Sequence, residues 1–179
     1  MRAVRQGDLD ALCGVYAIIN ALEGVGIGGP RSLMHQRLFR RLTLGLPADR
    51  LQAAMYEGLD AEDLVGTGRR AFRWLRQSYG HSLRITRPLR VCDDDDIEHF
   101  FDAVAGWTQR ADLSVIVNVH LPGLSHWTVV KRVRGRIMEL RDSGRLKTLD
   151  LDRFSLSRGR YRFSRQETLL IKRHNRRAH

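Results

Sequence analysis

Three residues of this chain combine into one chemistry: a cysteine at 13, a histidine at 126 and an aspartate at 142. Cys13 lies in Ala11-Leu12-Cys13-Gly14-Val15-Tyr16, near the start of an almost wholly apolar stretch over 11–22 that reads as a buried helix. At a helix start the macrodipole and the unpaired backbone N–H groups favour thiolate over thiol. The same N–H groups can face a developing oxyanion. Gly14 is expected to leave one side of the sulfur open. Gln6, upstream, is expected to fold back so that its amide is a second oxyanion donor.

His126 sits in Gly123-Leu124-Ser125-His126-Trp127-Thr128, where a loop containing Pro122 and Gly123 leads into an apolar strand. A base at a strand entrance is held by backbone hydrogen bonds and still faces a cleft, and Trp127 can limit water at the imidazole. Asp142 closes the following strand in Glu139-Leu140-Arg141-Asp142-Ser143-Gly144. A tight hairpin at Gly135 puts positions 126 and 142 near one open end. A carboxylate there fixes the imidazole tautomer and stabilises the imidazolium. Each residue has a plain structural alternative: Cys13 a small core side chain, His126 a strand-edge histidine, Asp142 part of a turn. Taken together they make an activated nucleophile, with Gly14, Ser125 and Trp127 as expected substrate contacts.

The elements that must position these residues can be read from periodicity. Helices are expected over 11–22, 32–44, 48–56 and 60–79, the last interrupted near Gly66-Thr67-Gly68, and over 97–107. Asp8 or Asp10 is a candidate cap for the first of them. Strands are expected over 82–86, 113–120, 126–134, 136–141, 161–163 and 168–172, all rich in β-branched or alternating residues. Helices first and a mostly antiparallel sheet after them give an α+β class. One domain over 1–172 and a basic tail over 173–179 are the expected organisation.

At these residues the chain resembles the papain-like superfamily of cysteine peptidases. That superfamily runs in the chain order Gln, Cys, His, Asn or Asp, and this sequence runs Gln6, Cys13, His126, Asp142. The resemblance implies a central helix that begins at the nucleophile and packs on the sheet. It makes Cys13 the nucleophile, His126 the general base and acid, and Asp142 the orienting residue. Gln6, with the Cys13 N–H, is then the oxyanion hole. Two compact branches are similar, the C39-like peptidases that cut leader peptides and the Josephin-type deubiquitinases. A protein or peptide substrate with a glycine-rich leader or ubiquitin-like tail follows from either. The Cys-Gly-Ser-Cys-Trp signature of papain is absent, Josephin-type enzymes end the triad in Asn where this chain has Asp142, and the Gln6–Cys13 spacing is longer than is usual.

The 179 residues carry 31 Lys and Arg against 20 Asp and Glu, a net charge of +11. Such a balance suits acidic partners, among them an acidic protein face. No nucleic-acid motif and no cofactor motif is present, and no stretch approaches the roughly 20 apolar residues of a membrane span. Without a Cys-x-x-Cys pair a structural zinc site is not expected. The N-terminus carries no secretory signal, so a cytoplasmic protein is the expectation. The run Asp93-Asp94-Asp95-Asp96 reads as a helix cap rather than a calcium loop. Cys92 beside it and His120 are the rival nucleophile and base. Two other functions fit the same residues: a non-catalytic basic binding module on a degenerate papain-like fold, and an acyltransferase, transglutaminase or amidase with the same triad.

Overall fold

The computed structural model describes residues 11–29, 32–89, 96–144, 146–156 and 158–174. Five helices are described: α1 (Cys13–Gly24), α2 (Leu33–Leu44), α3 (Ala48–Glu57), α4 (Ala61–Tyr79) and α5 (Ile97–Thr108). The strands are β1 (Ser82–Thr86), β2 (Leu113–Leu121), β3 (Leu124–Arg134), β4 (Ile137–Arg141), β5 (Thr148–Asp150) and β6 (Arg162–His174). They form one sheet in the order β1-β6-β2-β3-β4-β5, and each neighbouring pair is antiparallel. The class is α+β.

Local chemistry fixes the helix starts. The Ser32 hydroxyl accepts from His35 N, the Asp60 carboxylate from Asp63 N, and Asp96 from both Glu98 N and His99 N. Asp96 thus caps α5, while Asp93, Asp94, Asp95 and Cys92 lie outside the described residues. The expected break at Gly66-Thr67-Gly68 does not occur: α4 is continuous. Gly68 is there for close approach, since a Cβ on it would stand 3.3 Å from the Ile85 side chain of β1. No helix among the described residues is long and apolar enough to cross a membrane.

Both faces of the sheet are covered. On one, Ile116, Trp127, Val129, Leu169 and Ile171 pack against α1, α2 and α4. On the other, Val115, Val117 and Val119 of β2 meet Phe100, Phe101 and Val104 of α5. Two-sided burial explains why β2 reads as a run of buried residues from Leu113 to Val119 rather than as an alternation.

Three strands differ from the sequence expectation: β5 has no counterpart in it, and β6 and β3 differ in extent. β6 is one strand rather than two. Val117 pairs with Thr168 but Val119 pairs with Phe163, so two steps on β2 face five on β6, and residues 164–167 bulge from the ladder. It also runs through Arg173 and His174, which the sequence assigned to a tail. Arg173 pairs with Leu83 and its guanidinium donates to Val25 O at 3.0 Å. β3 begins at Leu124, after a two-residue turn with Gly123 at φ 74°, so His126 is its third residue and not its first.

Candidate active site

α1 starts at Cys13 itself. Leu12 occupies the N-cap position and no side chain caps the helix; Asp8, Asp10 and Gln6 lie outside the described residues. Val15 N and Tyr16 N both donate to Leu12 O. The N–H groups of Cys13 and Gly14 come before these, at the positive end of the helix. Cys13 is 6% exposed. Its sulfur lies 3.5 Å from the donating Trp127 N and 3.8 Å from Ala11 O.

The register of β3 and β4 brings the other two residues together. The pairs Arg134–Ile137, Val133–Met138 and Arg132–Glu139 close the hairpin at Gly135, which has φ 54°. A one-residue bulge at Lys131 shifts the ladder to Val130–Leu140 and Val129–Arg141. Continued by one residue, that register sets Asp142 beside Thr128, on the face that also carries His126 two residues away. His126 Nε2 and Asp142 Oδ1 are 2.6 Å apart. The Cys13 thiol acts on the imidazole as well and raises its pKa, and Nδ1, the nitrogen not engaged by Asp142, is the one left for the sulfur.

Asp142 is itself held on both oxygens. Oδ2 accepts from Gly144 N at 2.7 Å and Leu146 N at 3.3 Å. The Thr128 hydroxyl, buried and with no other partner among the described residues, faces the carboxylate. Burial pushes the Asp142 pKa up, but the hydrogen bond and charge of His126, with Thr128 and Gly144 N, hold it below the usual carboxylate range. Burial likewise pulls His126 down. The hydrogen bonds with Asp142 and Cys13, and their charges, outweigh it and push His126 up from 6.5 to about 9.

These opposite shifts predict a stability profile. A histidine raised in the folded state binds a proton that the unfolded chain gives up, so its contribution is complete below pH 6.5 and is lost as pH rises to about 9. The loss amounts to at most about 3 kcal/mol. Asp142 works from the other side: its contribution is present above pH 3.8 and is lost as pH falls through its depressed value. Urea midpoints should therefore hold between pH 3.8 and 6.5 and decline on the alkaline side. His126→Ala should flatten that alkaline decline. An equally steep decline in the variant would assign it to other groups.

The segment between α3 and α4 forms one wall of the site. Ala11 N donates to Met55 O at 2.9 Å, which ties the chain ahead of Cys13 to the end of α3. Gly58, at φ 83°, makes a turn that a side chain would strain, and a Cβ there would stand 3.4 Å from Ala11 O. Leu59 O accepts the indole N–H of Trp127 at 2.7 Å. Trp127 is thus fixed from both ends, its backbone on Cys13 and its ring on Leu59.

The three residues open on a cleft of about 900 Å³. Exposed Met55 and Tyr56 stand on one wall, Leu124 and Ser125 on the other. Ser125 Oγ donates to Asn118 Oδ1 at 3.0 Å, which adds Asn118 to the floor. Glu57, Asp60 and Glu167 also line the cleft, and among its described lining residues the one Lys or Arg is Arg50, whose guanidinium is paired with Asp63.

Of the residues singled out in sequence, Cys13, His126 and Asp142 meet, and Ser125 and Trp127 line the cleft. Gly14 does not line it. A Cβ on Gly14 would lie 2.7 Å from Leu64, so this glycine serves the packing of α1 on α4 and not access to the sulfur. His120, the rival base, pairs with Glu167 at 3.4 Å. His35, which had no evident partner in sequence, is buried 3.7 Å from Glu23 and 3.3 Å from Ile27 O. Asn118, Leu59 and Gly58 were missed. Leu59 and Gly58 act through partners far away in the chain, and Asn118 through Ser125 across the β2–β3 hairpin, and no local pattern marks any of them. Among the described residues no group of His, Cys, Asp and Glu could hold a metal ion.

No protein-family model matches the chain, and no curated protein matches it.

Proposed function

We propose that this protein is a cysteine peptidase of papain-like type that hydrolyses peptide or isopeptide bonds through Cys13, His126 and Asp142. The observation that carries the reading is the imidazole of His126 set between the Asp142 carboxylate at 2.6 Å and the Cys13 sulfur, at the edge of an open cleft. A helix that begins at the nucleophile, packed on a sheet whose adjacent strands supply the base and its carboxylate, supports it as well.

In this proposal a histidine with its pKa near 9 is the cation beside the sulfur at neutral pH, and a cation there favours the thiolate. The thiolate attacks the carbonyl carbon and the carbonyl oxygen becomes an oxyanion. The Cys13 N–H at the helix start donates to that oxygen, with Gln6 as the proposed second donor. The imidazolium gives its Nδ1 proton to the leaving amine as the C–N bond breaks, which leaves a thioester on Cys13. Neutral His126 then takes a proton from water, the hydroxide adds to the thioester, and the acid product and the thiol are released.

The cleft narrows the expected substrate. Its walls carry Met55, Tyr56 and Leu124, and its carboxylates Glu57, Asp60 and Glu167 outnumber Arg50, so apolar or basic residues fit beside the scissile bond better than acidic ones. The sequence expectation that a basic protein takes an acidic substrate does not extend to the cleft itself.

Iodoacetamide alkylation of Cys13, followed by mass spectrometry across pH, tests the pair. At neutral pH the rate should fall on the order of tenfold or more in His126→Ala. An unreactive Cys13 in the folded protein, or a rate indifferent to His126, would remove the main support and favour a non-catalytic module on the same fold.

A further inference from the structure

The surplus positive charge is concentrated away from the catalytic cleft. α2 and α4 enclose a groove of about 680 Å³ that shares no lining residue with that cleft. Arg37, Arg40 and Arg41 stand three and four residues apart, hence on one side of α2, and Arg70 faces them from α4. All four are exposed, and no acidic residue among the described ones lines the groove.

Some arginines elsewhere in this protein pair with carboxylates: Arg110 with Asp112, Arg132 with Glu139, and Arg136 with both Glu98 and Asp152. The four groove arginines have none among the described residues. Three of them are held instead by neutral groups. Arg41 lies over the Trp74 ring at 5.7 Å, Arg37 donates to the Tyr79 hydroxyl at 3.3 Å, and Arg70 donates to Gly45 O and to Thr67 Oγ1, both at 3.0 Å. Like charges at helical spacing destabilise a helix. Neutral partners fix the guanidinium forks in place without cancelling their charge, which is the preorganisation that an anionic ligand requires.

We propose that the α2–α4 groove docks an acidic polypeptide segment that also carries apolar side chains. The apolar half of this match comes from Leu44, 67% exposed at the groove, and from the partly exposed Trp74. A phosphodiester chain would leave those surfaces uncovered. It would also find no stacking platform, because Arg41 covers the Trp74 ring and Tyr79 packs against it at 77°. A second basic groove joins the first at Arg70 and adds Arg69, Arg73, Arg76 and Arg84, so the surface is long enough for several residues of extended chain. Docking here leaves the catalytic cleft free.

Fluorescence anisotropy of a labelled peptide of Glu and Leu residues tests this, with labelled oligouridylate as competitor. Both are titrated into wild type and into Cys13→Ala, where cleavage cannot consume the probe. The peptide should bind, and more weakly as salt rises. Arg40→Glu with Arg41→Glu should weaken it on the order of tenfold or more. The same charge change at exposed Arg158 and Arg160, outside both grooves, should leave it nearly unchanged. If reversal unfolds α2, Arg37→Ala with Arg40→Ala carries the same expectation of weakened binding. Equal losses in the groove and control variants would reduce the effect to net charge. Tighter binding of oligouridylate than of the peptide would make the groove a nucleic-acid surface, and absence of peptide binding would refute docking. None of these outcomes depends on peptidase activity.

Discussion

Cys13→Ala should abolish turnover of any peptide that the wild-type protein cleaves, with a loss on the order of 10³-fold or more, while the fold survives. The size of the effect follows from the proposed chemistry. Every bond-making step passes through the sulfur, and what remains without it is binding and oxyanion stabilisation alone. The tolerance of the fold follows from packing. Beside His126, the sulfur receives one weak backbone hydrogen bond, from Trp127 N at 3.5 Å, and Trp127 keeps its ring anchored on Leu59 O without it. Removing one sulfur atom at the margin of the core costs on the order of 1 kcal/mol. The measurement is hydrolysis of fluorogenic peptides with apolar and basic residues at the scissile bond, beside circular dichroism and urea unfolding. Persistent hydrolysis in the variant would place the nucleophile elsewhere. Cys13→Ser should be nearly as inactive, because the imidazole must then remove a proton from a far less acidic hydroxyl.

The site was legible where its signals are local. A cysteine at the head of an apolar helix, a histidine before a β-branched run and an aspartate one hairpin later need only helix, strand and turn periodicity to be placed. The hairpin at Gly135 then brings the last two together. What periodicity cannot supply is the side of a contact that comes from far along the chain. The 55–60 segment meets Ala11 and Trp127 across separations that no pattern in either segment encodes. Gly14 shows the same limit: next to Cys13 it invites a reading as clearance for the sulfur, yet its constraint is Leu64, fifty positions away. Two-sided burial of the sheet blurred the strands for a related reason. Where helices cover both faces, alternation disappears, and the bulge at 164–167 made one strand look like two. On the face of the sheet covered by α5, the helix start was readable because Asp96 caps it.

Asp142→Asn should lower turnover on the order of 10²- to 10⁴-fold, as much as Asp142→Ala, although asparagine is the residue that Josephin-type enzymes use in this role. The reason is the pattern of acceptors. Oδ1 takes the Nε2 proton of His126, and Oδ2 takes the N–H groups of Gly144 and Leu146. Both ends of the carboxylate must therefore accept. An asparagine offers one acceptor and one donor. If its oxygen faces His126, its NH₂ meets two backbone donors in a buried place, and all three are left without an acceptor there. If its oxygen faces the backbone, its NH₂ meets Nε2, and the imidazole must carry its proton on Nδ1. That is the side of the sulfur, so the neutral ring can no longer accept a proton from Cys13 or from water. Either arrangement also removes the negative charge that helps hold His126 near pH 9, so the pH at which activity falls on the alkaline side should move down. Turnover across pH, together with an imidazole proton titration by NMR, reads both effects. An asparagine variant with near wild-type activity would mean that Gly144 N and Leu146 N give up their hydrogen bonds at little cost, and that the side chain there serves only to orient the ring.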